Sequence, residues 1–203
     1  MRDIVNTSIS IGLVGVTGYT GMELVRLLAR HSSFDLCAVT SRKEAGKRLD
    51  EIYPFVSGFG LGELVISEPD PDELARSCEL VFLAVPHGTA MDMAAKLLER
   101  GVKVVDLSAD FRLRDTDVYS QWYGLEHRHP ELIREAVFGL PEFYAEQTAN
   151  TRLCANPGCY VTSVILGLAP VLKKDLVHTN DIVADSKSGT SGAGRSAKLE
   201  TSF

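Results

Sequence analysis

Cysteine is too sparse and too scattered in this sequence to hold a fold together. The four residues, Cys37, Cys78, Cys154 and Cys159, fit neither a paired C-x-x-C zinc site nor a dense disulfide framework, and no metal is expected. Long apolar runs are missing too. Ser8 to Val14 is too short for a secretion signal and passes straight into a glycine turn. The next longest run, Val161 to Leu172, carries Thr, Ser, Gly and Pro and falls short of a bilayer span. No membrane association is expected, and a reducing cytoplasm is the expected compartment. Basic charge is not in excess: the formal net charge is -6, which argues against a nucleic-acid partner, because phosphate backbones need a basic face. A small anionic ligand stays open, since a few local donors override the net field. Neither an internal repeat nor a low-complexity tract occurs.

What is present is ordinary for a globular chain of 203 residues, with 45% apolar and 24% charged side chains. Short apolar runs alternate with amphipathic stretches. Strands are expected at Ser8 to Val14, Phe34 to Thr40, Glu79 to Val85 and Val102 to Leu107. Helices are expected at Met22 to His31, where Met22, Val25, Leu28 and Ala29 keep helical spacing, and at Thr89 to Glu99. Near-continuous apolar strands separated by helices predict a parallel sheet covered on both faces, an α/β Rossmann-type doubly wound fold. Ser108 to Glu142, rich in aromatics, charges and turn residues, reads as long loops with one or two short helices. Val161 to Leu172 reads as a helix bent or ended by Pro170, and Asp181 to Lys187 as a strand opening a second domain. Ser196 to Phe203 carries no closing element, so the chain is expected to be a fragment.

The first strand leads into Gly15-Val16-Thr17-Gly18-Tyr19-Thr20-Gly21 and then a helix. Glycines at this spacing let the backbone turn tightly, approach a pyrophosphate and pack helix against strand, and the helix N-terminus offers N–H groups to phosphate. A tight turn without a ligand is the alternative. A dinucleotide site selective for NAD carries a carboxylate roughly 20 residues on. That carboxylate is missing: Thr40-Ser41-Arg42 stands there, with Lys43, Lys47 and Arg48 nearby. A hydroxyl and a guanidinium suit a 2′-phosphate, so NADP is expected; a solvated basic loop is the alternative.

Asn156-Pro157-Gly158-Cys159-Tyr160 precedes the apolar helical run. A thiol at a helix N-terminus is favoured as thiolate, and Pro157-Gly158 would present it. A buried, inert thiol is the alternative, and it is the expected state of Cys37, Cys78 and Cys154.

Taken in order, these segments resemble a known family: Gly15-x-Thr17-Gly18-Tyr19-Thr20-Gly21-x-Glu23-Leu24, Pro86-His87-Gly88, Asp106-Leu107-Ser108-Ala109-Asp110-Phe111-Arg112, Tyr119, Trp122 and Tyr123, Gly139-Leu140-Pro141-Glu142, Asn156-Pro157-Gly158-Cys159-Tyr160-x-Thr162, and Ser188-Gly189-x-Ser191-Gly192-Ala193-Gly194-Arg195. The whole is similar to the N-acetyl-gamma-glutamyl-phosphate reductases, in the semialdehyde dehydrogenase superfamily. The resemblance implies an NADP-binding Rossmann-type domain over residues 1–156 and, over 157–203, the start of an α+β catalytic and dimerisation domain. It implies that Cys159 attacks an acyl phosphate, expels phosphate as a thioester forms, and that NADPH reduces the thioester to the semialdehyde of arginine biosynthesis. Gly15, Thr17, Gly18, Tyr19, Thr20, Gly21, Ser41, Arg42, Pro86, Ser191 and Gly192 are then the expected cofactor contacts. Arg112, Asn156, Ser188 and Arg195 are the expected substrate contacts, although arginines at such positions also serve as ordinary surface ion pairs. A homo-oligomer is implied. The family's acid-base histidine is expected shortly beyond residue 203, since His31, His87, His127, His129 and His178 do not match its motif; His87, just after the strand ending at Val85, is the one local substitute, and this chain alone is expected to be nearly inactive. The rival readings are an aspartate-semialdehyde dehydrogenase, a lysine-pathway acyl-phosphate reductase, and a non-catalytic nucleotide-binding module.

Overall fold

The structure, a computed structural model, describes residues 8–195. Residues 196–203, where the sequence shows no closing element, lie outside the described part. The elements run β1 (Ile9–Val14), α1 (Tyr19–Leu28), β2 (Phe34–Thr40), α2 (Leu49–Ile52), a 3-10 segment (Pro54–Phe59), α3 (Pro71–Ser77), β3 (Leu80–Leu83), α4 (Ala90–Glu99), β4 (Lys103–Asp106), α5 (Thr116–Tyr123), α6 (Pro130–Glu135), β5 (Val137–Phe138), α7 (Pro141–Asn150), β6 (Leu153–Ala155), α8 (Cys159–Leu172) and a final 3-10 turn (Thr190–Ala193). The chain divides into two compact units, residues 1–156 and 157–203.

The first unit is built on one six-stranded sheet in the order β2-β1-β3-β4-β6-β5, with every pairing parallel. Parallel strands need a crossover between them, and the apolar character of each strand follows from being covered on both faces. Period-two alternation divides β1 between two cores. Ile11 and Leu13 point into a cluster with Val25, Leu36, Leu49 and Ile66, whereas Val14 joins Val81, Met91, Leu97 and Val104 on the other face. Gly12 faces α3. A Cβ there would lie 2.9 Å from Cys78 Sγ and 3.1 Å from Leu74 Cδ2, so glycine is what lets that helix close on the sheet.

Helix ends follow local chemistry. Asp70 caps α3 by accepting from Asp72 N (2.8 Å) and Glu73 N (3.0 Å), with Pro71 in the first turn. Asp115 caps α5 in the same way, and Gly124 ends it in the left-handed region at φ +67°. Such a cap contributes about 1 kcal/mol.

The second unit holds α8 and a loop of exposed residues. Ser108 to Glu142 holds two short helices, α5 and α6, between loops, as expected, with β5 and the start of α7 in addition. Two expectations change. Asp181 to Lys187 forms no strand among the described residues. No neighbouring strand pairs with it, Val183 is 91% exposed, and a strand without a ladder partner has no hydrogen bonds to hold it. Pro170 does not end α8, which continues to Leu172, with Lys173 N bonded to Ala169 O (3.0 Å). So near the helix end the missing proline N–H removes only one bond. No helix among the described residues is long and apolar enough to cross a membrane.

Candidate active site

The chain leaves β1 toward β2 on one side of the sheet and returns to β3 on the other. Loops beyond the carboxyl ends of β1 and β3 therefore diverge, and such a switch point is where open α/β sheets place ligands. The glycine turn forms one wall. Gly15 sits at φ +89°, and a Cβ on it would approach Ala84 O to 2.3 Å. Its N–H and that of Val16 both donate to Thr40 O (3.0 and 3.1 Å), tying the turn to the end of β2. Gly21 is equally constrained, since a Cβ would meet Gly15 O at 2.4 Å and Val16 O at 2.6 Å. Gly18 differs: the nearest atom to its Cβ would be 3.7 Å away. Two of the glycines thus serve packing, and the middle one leaves open space above the start of α1. Gly18 is the N-cap of α1 and, as glycine, has no side chain to cap the first N–H groups of the helix, which lack intrahelical partners beside exposed Tyr19 and Thr20.

The end of β2 completes this side. Thr17 Oγ1 and Ser41 Oγ lie 3.2 Å apart, and Ser41 is nearly buried with its N–H on Ser67 O (2.9 Å). Thr40 Oγ1 is buried without a hydrogen-bond partner, an unmet polar group of the kind that marks a ligand edge. Of the nearby cations, Lys47 pairs with Glu44 (2.6 Å) and Arg48 with Asp50 (2.6 Å) and Glu63 (2.7 Å). Arg42 is exposed and makes no such pair among the described residues. The donor set at this edge therefore fits a phosphate on a ribose: hydroxyls in place, one guanidinium uncommitted.

The other wall follows β3 as Pro86-His87-Gly88. Behind it, β4 ends in Asp106, whose carboxyl is fully buried and accepts from Ser108 N (2.9 Å) and Ser108 Oγ (2.7 Å). Burial pushes this carboxyl up to about 6, against the opposing pull of the Ser108 hydrogen bonds. The Asp106 carbonyl accepts from Asn156 N (2.8 Å). Arg112, expected from the resemblance to hold substrate, is tied to the backbone through two of its five N–H groups. Its guanidinium donates to two backbone carbonyls, Leu107 O and Asn156 O, both at 2.7 Å. These bonds make it a brace between the ends of β4 and β6. His127 is also buried: its Nδ1 accepts from His129 N (3.2 Å), leaving Nε2 to donate to Asp110 O (2.7 Å). Asp106, Asp110, Tyr119 and His127 have structural roles at this wall that sequence reading assigned to none of them. The D-x-S-x-D spacing of residues 106 to 110 was the available signal.

In the second unit, Cys159 is the first residue of α8, follows the N-cap Gly158, and is exposed. The other thiols are withdrawn. Cys78 and Cys154 are buried, and burial raises Cys154. Burial and the Cys78 thiol push Cys37 up to about 12. Ser188, Ser191, Gly192 and Arg195 share one exposed loop. Ser188 Oγ lies 2.4 Å from where a Gly192 Cβ would stand, so the loop folds back on itself there. No cluster of three or more His, Cys, Asp or Glu able to hold a metal occurs among the described residues.

Comparison with known proteins agrees with this geometry. The NAD binding domain of semialdehyde dehydrogenase matches residues 10–151, and the semialdehyde dehydrogenase dimerisation domain matches 159–203. An N-acetyl-gamma-glutamyl-phosphate reductase of Acidithiobacillus ferrooxidans is 54% identical over 191 residues, covering 94% of this chain and 55% of that protein. That of Halorhodospira halophila is 52% identical over 195 residues, covering 96% and 56%. The chain thus spans about half the length of the curated relatives it matches. Among solved structures, aspartate semialdehyde dehydrogenase with NADP from Candida albicans superposes with a TM-score of 0.60 at 18% identity, covering 84% of this chain and 48% of the other. Aspartate semialdehyde dehydrogenase II from Vibrio cholerae gives 0.58 at 17%, covering 82% and 47%. These two share the fold. Glycine turn, switch point and family match agree: the chain belongs to the semialdehyde dehydrogenase family, and the relatives it matches at about half identity are N-acetyl-gamma-glutamyl-phosphate reductases.

Proposed function

We propose that the protein is an NADPH-dependent reductase that turns N-acetyl-glutamyl phosphate into N-acetylglutamate semialdehyde and inorganic phosphate, a step of arginine biosynthesis in the cytoplasm. The observation that carries this reading is the contrast among the thiols. Only Cys159 is exposed, and it opens a 14-residue helix. Thiolate is the attacking form of cysteine, and the exposed sulfur at the head of α8 is open to a substrate carbonyl.

The cofactor fits the β1–β2 edge: the open turn at Gly18 takes the pyrophosphate, flanked by Gly15, Thr17, Tyr19, Thr20 and Gly21, while Ser41 and Arg42 take the 2′-phosphate. Pro86 would contact the remainder; Ser191 and Gly192 are proposed cofactor contacts as well. NADPH held there supplies the hydride that reduces the acyl group. Cys159 Sγ bonds to the acyl carbon as the carbon–oxygen bond to phosphate breaks, and that acyl group stays on sulfur at a reactive oxidation level. Backbone N–H groups at the start of α8 stabilise the oxyanion that forms as sulfur adds. After reduction the carbon–sulfur bond breaks, and the thiolate is restored as the aldehyde leaves. Ser188 and Arg195 are the substrate's proposed anion contacts. Asn156 belongs with them through its side chain, while Arg112 holds the Asn156 carbonyl. The complete enzyme is proposed to work as a homo-oligomer, with its acid-base histidine supplied from beyond residue 203.

The test is Cys159→Ser in the complete enzyme. Turnover of N-acetyl-glutamyl phosphate should fall to background while the Kd for NADPH stays within about twofold of wild type. Turnover above a few per cent of wild type would overturn the proposal. A panel including aspartyl phosphate and the longer lysine-pathway acyl phosphate distinguishes substrate chain length.

A further inference from the structure

Asp110 lies in no part of the chemistry proposed above, yet it is fully buried and its carboxylate accepts three hydrogen bonds. One carboxylate oxygen accepts from Gly88 N (2.7 Å) and from Tyr119 Oη (2.8 Å). The other accepts from Ala90 N (3.2 Å). Its own N–H donates to Ser108 Oγ (3.1 Å), and its carbonyl receives His127 Nε2. The residue is thus fixed on every side before it grips anything.

What it grips is the second wall of the crevice. Pro86 to Thr89 form a turn closed by Thr89 N on Pro86 O (3.2 Å), with Gly88 in the left-handed region at φ +77°. Thr89 occupies the N-cap of α4 but makes no side-chain capping bond. Asp110 supplies that cap from 20 residues away, with a negative group at the positive end of the helix. The turn is held from other directions as well. Arg128 Nη2 donates to Gly88 O (3.2 Å). The His87 ring rests 5.4 Å from that of Tyr123, which itself stacks 5.0 Å from Tyr119. Facing this wall across the switch point is the glycine turn, whose Gly15 abuts Ala84 at the start of the same loop.

We infer that Asp110 is a positioning residue for the dinucleotide, holding the Pro86–Gly88 wall at the spacing that admits the nicotinamide half while taking no part in binding the adenosine half. The inference rests on the cofactor reading proposed above. It follows that the two halves of the ligand respond differently when the carboxylate is altered. Adenosine 2′,5′-bisphosphate reaches the Ser41–Arg42 edge and the glycine turn, whereas NADPH needs the Pro86–Gly88 wall as well.

The experiment is isothermal titration of the full 203-residue chain with NADPH and, separately, with adenosine 2′,5′-bisphosphate. In Asp110→Asn an amide N–H₂ must face a donor it cannot accept from, either Gly88 N–H or Ala90 N–H. NADPH should bind about tenfold more weakly, the scale expected when one hydrogen bond to a charged group is lost, and the bisphosphate should bind as in wild type. Amide exchange at residues 86–90 should quicken. Equal weakening of both ligands would mean general damage to the domain and would overturn the inference, as would no change in either. Should Asp110→Asn fail to fold, Tyr119→Phe removes one donor and leaves both backbone bonds; it should weaken NADPH roughly two- to threefold and again spare the bisphosphate. No difference between the ligands in that variant overturns the inference too. A wild-type chain that binds neither ligand defeats the cofactor reading itself, a result distinct from one in which wild type binds both and the variants match it.

Discussion

Replacing Asp106 by Asn tests the electrostatics behind the crevice. The carboxyl is fully buried, and burial holds it at about 6 in the folded chain against an ordinary 3.8. The folded state therefore keeps a proton at pH values where the unfolded chain has released it. The stability this contributes is complete below pH 3.8 and is lost as pH rises through 6. Between pH 7 and pH 5 that linkage contributes about 1 kcal/mol in favour of the folded state. For a chain of this size it corresponds to roughly 2–4 °C in Tm. Asparagine keeps an acceptor for Ser108 N, and its N–H₂ can donate to the Ser108 hydroxyl, so the local bonds survive while the titration disappears. Thermal unfolding of wild type and Asp106→Asn at pH 5 and pH 7 gives a double difference in which titrating groups not coupled to Asp106 cancel. Wild type should gain on the variant by that amount on acidification. Parallel shifts of the two proteins would show that the carboxyl ionises like an exposed one and would refute the argument.

Three further outcomes are expected. Gly15→Ala combines a left-handed φ with a 2.3 Å approach to Ala84 O and should cost at least about 1–3 kcal/mol of stability in denaturant titration; Gly18→Ala, which has room, should leave stability within about 0.5 kcal/mol and show its effect in NADPH affinity instead. Arg42→Ala should lower the ratio of NADP to NAD affinity by about tenfold or more, with NAD binding unchanged; equal loss for both would remove Arg42 from the 2′-phosphate. His127 is held below its ordinary 6.5 chiefly by burial, so the unfolded chain protonates first, and stability from this group should fall as pH drops below 6.5. The pH slope of unfolding should lose that component in His127→Gln, whatever the change in baseline.

Much of this fold is legible in the sequence alone, and the exceptions have physical reasons. Phe34 to Thr40 appears as β2 with the bounds expected, because a seven-residue apolar run between turn residues has few other uses. Neither β5 nor β6 is foreseen. At two and three residues they are too short for periodicity, and they exist because the sheet edge already offers partners. The opposite error at Asp181 to Lys187 has the same root, since a strand depends on a neighbour that its own residues do not reveal. At the site, the glycine turn is legible from spacing because backbone sterics dictate which positions need glycine. The Asp106–Ser108–Asp110 network is visible only as a pattern of letters. Its meaning depends on Gly88, Ala90, Tyr119 and Asn156, brought together from distant parts of the chain. Arg112 shows the limit from the other side: a guanidinium at a strand end suggests an anion, and its bonds to two backbone carbonyls are set by tertiary structure that the sequence does not display.

The seclusion of three thiols has a practical consequence. With Cys37, Cys78 and Cys154 shielded from solvent to different degrees and Cys159 open to it, a maleimide dye added at neutral pH should attach at one place in the unaltered chain. The molecule thus carries a natural handle at the head of α8, and fluorescence or mass shift from a single adduct would report on that helix with no cysteine removed.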